Sequence, residues 1–488
     1  MMSPLTNAAH HLLRAAVAML LPLLLGSCQL VTDDYDDTTT PDTAAQYINI
    51  TISVSTGSTP LTRAPLGGEY GDGTEKGNER ENAVSNITLI FYQDNAGINT
   101  TSNDAEVLCV KRYDVHPYDP ATMPDRHTHP ADEPASVSLN EVLYTTGEQR
   151  LEETTLVPGE TYKVLVVANA DIAVSTGDRI SDVRDKLAAT VYTGTGKGTD
   201  DTFVMASESD AAISLTNPYV YTSATEAEKN RFVYYFECIH MERLAARIDY
   251  CTNGATYDNT HNGYKYPATG DAFYLVTKVT PFNLYNGDEY LFKRVSSTWS
   301  GTTPAPPTYL ADETTTNYVV DPATAGKTAT ATPDYYLSPI AEDIIGSTFT
   351  QAMSSATPFT DDDGSNIITI AYAKENTLMP TSPLKKYATG LAFEVKYYAN
   401  ATATPVTHVY YHYLRHQGEQ ATGSYQAKQW SDLSDDETSS SNVSMNFGVV
   451  RNNIYRVSIE SFSPIEGTLK IRVEEKHWRH VDNPDIYL

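Results

Sequence analysis

The clearest pattern along the chain is strict alternation near its start. From Tyr47 to Ser55 the residues run Tyr-Ile-Asn-Ile-Thr-Ile-Ser-Val-Ser, which puts Ile48, Ile50, Ile52 and Val54 on one face of an extended segment. This predicts a half-buried strand over 46–55 at the edge of a sheet. The chain then enters a stretch rich in turn formers, with Pro60, Pro65, Gly67, Gly68, Gly71 and Gly73. Short apolar runs at 86–92, 107–110, 135–139, 156–170 and 203–207 read as further strands, the fourth opened by a Pro158-Gly159 turn. Ile180 to Leu187 has helical spacing, with Ser181 or Asp182 near its start. After a polar stretch from Thr222 to Lys229, a second block opens at Met241 to Tyr250 and continues through 274–276, 367–370, 391–397 and 455–459. The expected fold is all-β, with two β-sandwich domains of transthyretin-like, Greek-key type and little helix, over residues 46–230 and 231–467.

The far end alternates again through Leu469, Ile471 and Val473, followed by Trp478, Val481, Ile486 and Leu488 as apolar anchors. Residues 468–488 read either as a strand offered to a neighbouring molecule or as the last strands of the subunit's own sheet. The first reading is carried forward. Asn483-Pro484 interrupts the pattern, and Pro484 has to sit where no ladder hydrogen bond is needed.

Before the first strand lies an address. His10, His11 and Arg14 precede the apolar run Ala15 to Leu25, which is too short to span a bilayer and suits a secretory signal. Leu25-Gly26-Ser27-Cys28 resembles the lipobox of bacterial lipoproteins, which implies cleavage before Cys28 and acylation of that residue. Residues 29–45 are acidic and Thr-rich and read as a solvated tether.

Composition narrows the partners. Among 488 residues, 62 Asp and Glu stand against 34 Lys and Arg, a net charge of −28 that excludes a nucleic-acid partner. The 34 Tyr, 27 Gly and 26 Pro suit many strands joined by turns. No Lys or Arg occurs between Arg14 and Arg63, so Arg63 is the first site for an Arg-specific protease in the mature chain. It lies in the turn-rich loop, where a backbone enters a protease cleft most easily. Cys109, Cys238 and Cys251 are scattered and read as buried apolar residues rather than a disulfide or zinc framework.

Candidate chemistry is sparse. Thr193 to Thr199 lacks phosphate-loop spacing, and Asp361-Asp362-Asp363 lacks the alternate-position ligands of a calcium loop. His408, His412 and His416 would lie about 13 Å apart along a strand, too far to share one ion. His127 and His129 sit in a Pro-rich loop. No catalytic motif, metal site or cofactor is implied, and the chain is not expected to be an enzyme.

Several segments together resemble the fimbrillin family of type V pilins. They are Thr62-Arg63-Ala64 with the Gly-rich loop, Glu81 to Leu89, the Pro-Gly-x-x-Tyr-Lys-Val turn ending at Ala168-Asn169-Ala170, Glu242-Arg243 with Ala246-Arg247, Glu375-Asn376-Thr377, and Gly448 to Val457. The resemblance implies a fimbrial subunit of the cell surface, held in the outer membrane by lipid on Cys28 before processing. It implies cutting at Arg63-Ala64, loss of the strand carrying Ile48, Ile50, Ile52 and Val54, and refilling of its groove by a carboxy-terminal segment of a neighbour. The implied partners are further copies, anchor and tip subunits, and host or bacterial surface ligands. Losing four aliphatic side chains, each worth about 1.5–3 kcal/mol when buried, leaves on the order of 6–12 kcal/mol of unfavourable surface to drive assembly. The alternative is a surface glycan-binding lipoprotein that stacks sugars on tyrosines. Its marks are an exposed aromatic face and a first strand fixed centrally in a sheet.

Overall fold

The computed structural model describes residues 45–54, 74–75, 77, 80–93, 105–117, 143–193, 202–207, 210–220, 231–296, 318–323, 336–361, 364–377, 384–414, 424–433, 447–463 and 468–478. Cys28, the tether, Arg63, Ala64, Val481, Ile486 and Leu488 lie outside them, as do the expected strand at 135–139, the phosphate-loop-like stretch beyond Thr193, His416, and the polar stretch at 222–229.

The described chain is all-β, as its composition requires. The first sheet is built from β1 (Ala45–Ser53), β3 (Asn86–Tyr92), β4 (Val107–Asp114), β5 (His116–Pro117), β6 (Leu143–Thr145), β7 (Gln149–Arg150), β8 (Thr161–Ala168), β9 (Met205–Ser207), β10 (Ala211–Ser214) and β11 (Arg231–Arg243). Its strands run in the order β4-β3-β8-β9-β11-β1-β6-β5, with β10 beside β8 and β7 beside β1. The two ends of this path, β4 and β5, are one run of chain joined at Val115. The sheet therefore returns on itself around a single core drawn from β1, β3, β4, β8, β9 and β11.

Asn86–Tyr92 and Thr161–Ala168 fall where the apolar runs place them. The helix is shorter than its spacing suggests: α1 covers Ile180–Arg184, because Leu187 and Ala188 pair with Tyr290 and Glu289 instead.

The second region starts where the first ends. β12 (Ala246–Cys251) follows β11 after only Leu244 and Ala245, so Met241 to Arg243 belong to the first sheet and the change of core falls at 244–246. With β2 (Thr74–Glu75), β15 (Asn366–Ala373), β18 (Ser424–Ala427), β19 (Asn453–Ser463) and β20 (Thr468–Trp478), β12 makes a sheet in the order β2-β20-β19-β12-β15, with β18 also on β20. A facing sheet runs β13 (Gly263–Pro267), β14 (Phe273–Phe282), β16 (Gly390–Tyr398), β17 (Val406–Tyr413). Their inner faces share one core, with Ile248, Val276, Phe393, Val457 and Ile471 all at 1% exposure or less. From Gln46 onward the described residues form one compact unit with these two main cores.

Candidate functional site

The first strand meets its expected orientation and departs from its expected position. Ile48, Ile50, Ile52 and Val54 are 0–2% exposed and lie in the first core. β1, however, is an interior strand, not an edge strand: β11 lies on one side and β6 and β7 on the other. Nor is it half-buried. Asn49 at 2%, Thr51 at 8% and Ser53 at 0% are covered on the opposite face. Alternation reports that one face is apolar; it carries no information on what flanks a strand or covers its polar side.

The two flanks are unequal. β11 is a strand of 13 residues. On the other side β6 pairs Ser53, Ile52 and Thr51 with Leu143, Tyr144 and Thr145, and β7 pairs Ile48 and Tyr47 with Gln149 and Arg150, all antiparallel. These registers leave two residues of β1, Asn49 and Ile50, opposite three, Thr146, Gly147 and Glu148. The 143–150 run is thus one strand broken by a bulge, and Gly147 takes the left-handed conformation there with φ of 64°.

Side chains complete the ladder at the bulge. The Ile50 amide donates to Thr146 Oγ1 at 3.1 Å, and the Thr146 amide donates to the Ile50 carbonyl at 3.0 Å. Thr145 Oγ1 donates to Asn49 Oδ1 at 2.6 Å and accepts from the Gly147 amide at 3.1 Å. The Tyr235 hydroxyl of β11 donates to Glu148 Oε1 at 2.9 Å. Tyr235 lies opposite in the pleat to the core residue Tyr234, so this bond joins the two flanks of β1 across its outer face. Sequence reasoning passed over Thr145, Thr146, Gly147 and Tyr235. The only local signal was a glycine after two threonines.

Downstream of the turn-rich loop the chain is fastened by buried charge. Glu81 receives Arg247 Nη1 at 2.9 Å and the Tyr372 hydroxyl at 2.7 Å, while its carbonyl accepts from Arg243 Nε at 2.9 Å. Arg243 also donates to Asn82 Oδ1 and, at 3.2 Å, to Asn452 Oδ1. Burial pushes the Arg243 guanidinium down to about 10. Nearby, Lys293 meets Glu242 at 2.5 Å, and Arg451 meets Glu375 at 2.9 Å and Glu289 at 3.5 Å. Burial opposes the charge of Arg451, yet Glu375 and Glu289 hold its pKa above the ordinary arginine range. Glu81-Asn82, Glu242-Arg243, Arg247, Glu375 and Arg451-Asn452, scattered along the sequence, converge here. A buried charge without its partner is costly, which explains why these residues come as matched sets. The seam holds residues 80–82 to the second region independently of β1.

The far end differs from its expectation. Leu469, Ile471 and Val473 are not offered outward: they are 0%, 0% and 5% exposed in the subunit's own second core. β20 pairs with β19 from Thr468 to His477 and with β18 from Leu469 to Arg472. Within the subunit these three residues already fill an inward face, because inward alternation marks any strand with one buried face. Trp478 closes β20 and lies beside Glu75 in a parallel pairing.

Asp361 is likewise committed: its carboxylate pairs with Arg456 and lies 4.0 Å from Lys476, in place of the calcium weighed for it. Cys109 and Cys251 are buried and form no disulfide. Among the described residues no group of three or more His, Cys, Asp or Glu side chains is placed to hold a metal.

No family model and no curated protein matches the chain. Among solved structures it is similar to a fimbrilin (fimA) of Porphyromonas gingivalis W83, at 12% identity and a TM-score of 0.40, over 89% of this chain and 99% of that one. It is also similar to the C-terminally truncated tip fimbrial protein Mfa3 of Porphyromonas gingivalis, at 10% identity and a TM-score of 0.37, over 88% of this chain and all of that one.

Proposed function

We propose that the chain is a structural subunit of a cell-surface fimbria that supports adhesion and polymerises by protease-triggered strand replacement. The observation that carries this reading is β1 itself: a nine-residue strand whose Ile48, Ile50 and Ile52, with Val54 just past its end, complete a core, followed by the turn-rich loop that holds Arg63. Cutting Arg63-Ala64 frees the carboxy-terminal end of the strand. The buried seam at Glu81 and Asn82 retains everything beyond the loop.

Because β1 is interior, its loss opens a slot with two hydrogen-bonding edges rather than peeling one strand from a margin. Such a slot accepts a strand more selectively than an open edge does, since an incoming segment has to satisfy both ladders and the apolar pockets together. The short, bulged flank of β6 and β7 is the side from which exchange proceeds. With Leu469, Ile471 and Val473 held in their own sheet, the donor is the segment beyond Trp478, with Val481, Ile486 and Leu488 as its apolar residues. Acylation of Cys28 holds the uncut subunit at the outer membrane.

The interior position of β1 is one of the two marks of the glycan-binding alternative. The other is wanting: Tyr257, at 37%, is the one aromatic among the exposed large apolar side chains of the described residues. The test is the amino terminus of protein taken from the cell surface. The polymer fraction is expected to begin at Ala64 and the membrane fraction at acylated Cys28; polymer that begins at Cys28 contradicts the reading.

A further inference from the structure

We infer that the slot selects its occupant by a buried polar key, the Asn49 position that accepts from Thr145, and not by apolar fit alone. This rests on the strand-replacement reading and specifies the partner that reading requires.

Three features of the slot belong to the protein that remains after β1 leaves. The bulge at Thr146, Gly147 and Glu148 fixes where two residues of an occupant oppose three of the wall. Thr146 then presents a hydroxyl to the occupant's amide, where Ile50 now sits. Thr145, fully buried, accepts from the Gly147 amide and so has its hydroxyl proton to give to the occupant. Asn49 takes that proton at 2.6 Å from a position 2% exposed. An apolar side chain in the same place leaves a buried hydroxyl without an acceptor, and a strand slipped by one residue puts an aliphatic there and turns its whole apolar face outward. The bulge and the key together fix the register.

The occupant is a strand of a second copy with a short hydrogen-bond acceptor at this position and aliphatics one and three places further on. Residues 479–488 contain that arrangement once: Asp485, Ile486 and Leu488 stand in the order of Asn49, Ile50 and Ile52. Laid in the direction of β1, Asp485 takes the place of Asn49 within reach of Thr145, Ile486 and Leu488 take the pockets of Ile50 and Ile52, and Pro484 falls at the Ile48 position, at the cost of one ladder hydrogen bond beside the two-residue β7.

The full chain, cut at Arg63 by an Arg-specific protease, is titrated with synthetic peptides, so no variant of the protein has to fold. The probes are residues 46–55, the same peptide with Asn49→Val, residues 479–488, and that peptide with Asp485→Asn or Asp485→Val. The parent peptides and the Asp485→Asn peptide are expected to bind. Both Val peptides are expected to bind about tenfold more weakly, although Val is the more apolar residue. Val peptides that bind as well as their parents or better overturn the polar key and leave strand replacement standing. Binding of 46–55 without 479–488 overturns the proposed occupant. Failure of every peptide to enter cut protein overturns strand replacement and the key together.

Discussion

β1 and β20 share a sequence pattern and differ in what holds them. Both alternate, both send aliphatic side chains into a core, and both have neighbours on two sides. β20 is paired along ten of its residues with β19, itself 11 residues long, and its outer face is charged and partly wet, with Lys470 exposed and Arg472 paired to Glu474 at 3.1 Å. β1 likewise has one long neighbour, the 13-residue β11, and one broken flank, strands of three and two residues parted by a bulge where β20 has β18 of four and β2 of two; its outer face at Asn49, Thr51 and Ser53 is uncharged and buried. The same alternation thus serves both strands, and the bulge in one flank of β1 together with its uncharged outer face is what sets it apart.

The largest expected effect separates them directly. Ile52→Ala and Ile471→Ala each remove a side chain that is fully buried, at a cost of about 2–5 kcal/mol in the uncut chain. After cutting at Arg63 and loss of the strand, the Ile52 variant is expected to match cut parent protein in denaturant unfolding, while the Ile471 variant keeps its full deficit. Equal persistence of both deficits would show that β1 stays in place after cutting.

A smaller effect is expected at the bulge. A Cβ on Gly147 would be strained at φ of 64° and would approach His116 Nε2 to 3.5 Å. Gly147→Ala is expected to destabilise the uncut chain by about 1–3 kcal/mol and to speed release of the strand after cutting. Faster release without Gly147 is the sharper readout, since a glycine placed only for turn geometry elsewhere would leave release unchanged.

Alkaline pH acts more broadly on the second region. Burial lifts the phenols of Tyr274 and Tyr411 to about 12, and those of Tyr250 and Tyr266, joined at 2.6 Å, also rise. The folded chain keeps these protons where the unfolded chain has released them. Their stabilising contribution is therefore present below about pH 10 and is lost as pH rises toward 12. Arg243, lowered to about 10, works in the opposite sense. The first region has raised phenols as well: Tyr113 on β4 near 12, and Tyr144 and Tyr234, lifted by burial on β6 and β11, the two flanks of β1. Ultraviolet phenolate titration with amide exchange is expected to show β14 and β17 loosening above about pH 10, with the flanks of β1 loosening as Tyr144 and Tyr234 ionise. Amide protection that persists unchanged in β14 and β17 to about pH 12 would contradict it.

Much of this was legible in the residues. The inward face of β1, the strands at 86–92 and 161–168, and the scarcity of helix follow from period and composition, because burial of one face is a local demand. The flanks of β1, the own-sheet place of Leu469, Ile471 and Val473, and the change of core at 244–246 were not legible. Each depends on which distant strand pairs with which, and alternation is silent on that. The bulge at Gly147 and the Thr145 key arise from pairing register. The convergence of Glu81, Arg243, Arg247 and Arg451 was visible only as separate motifs whose meeting point needed the fold.

The most direct test of the central claim follows the strand after the cut. Full chain treated with an Arg-specific protease is separated by size, and each fraction is examined by mass spectrometry and light scattering. The account predicts oligomers of a chain beginning at Ala64, with the fragment carrying Ile48, Ile50, Ile52 and Val54 recovered apart from them. A cut chain that remains monomeric and co-elutes with that fragment would contradict it.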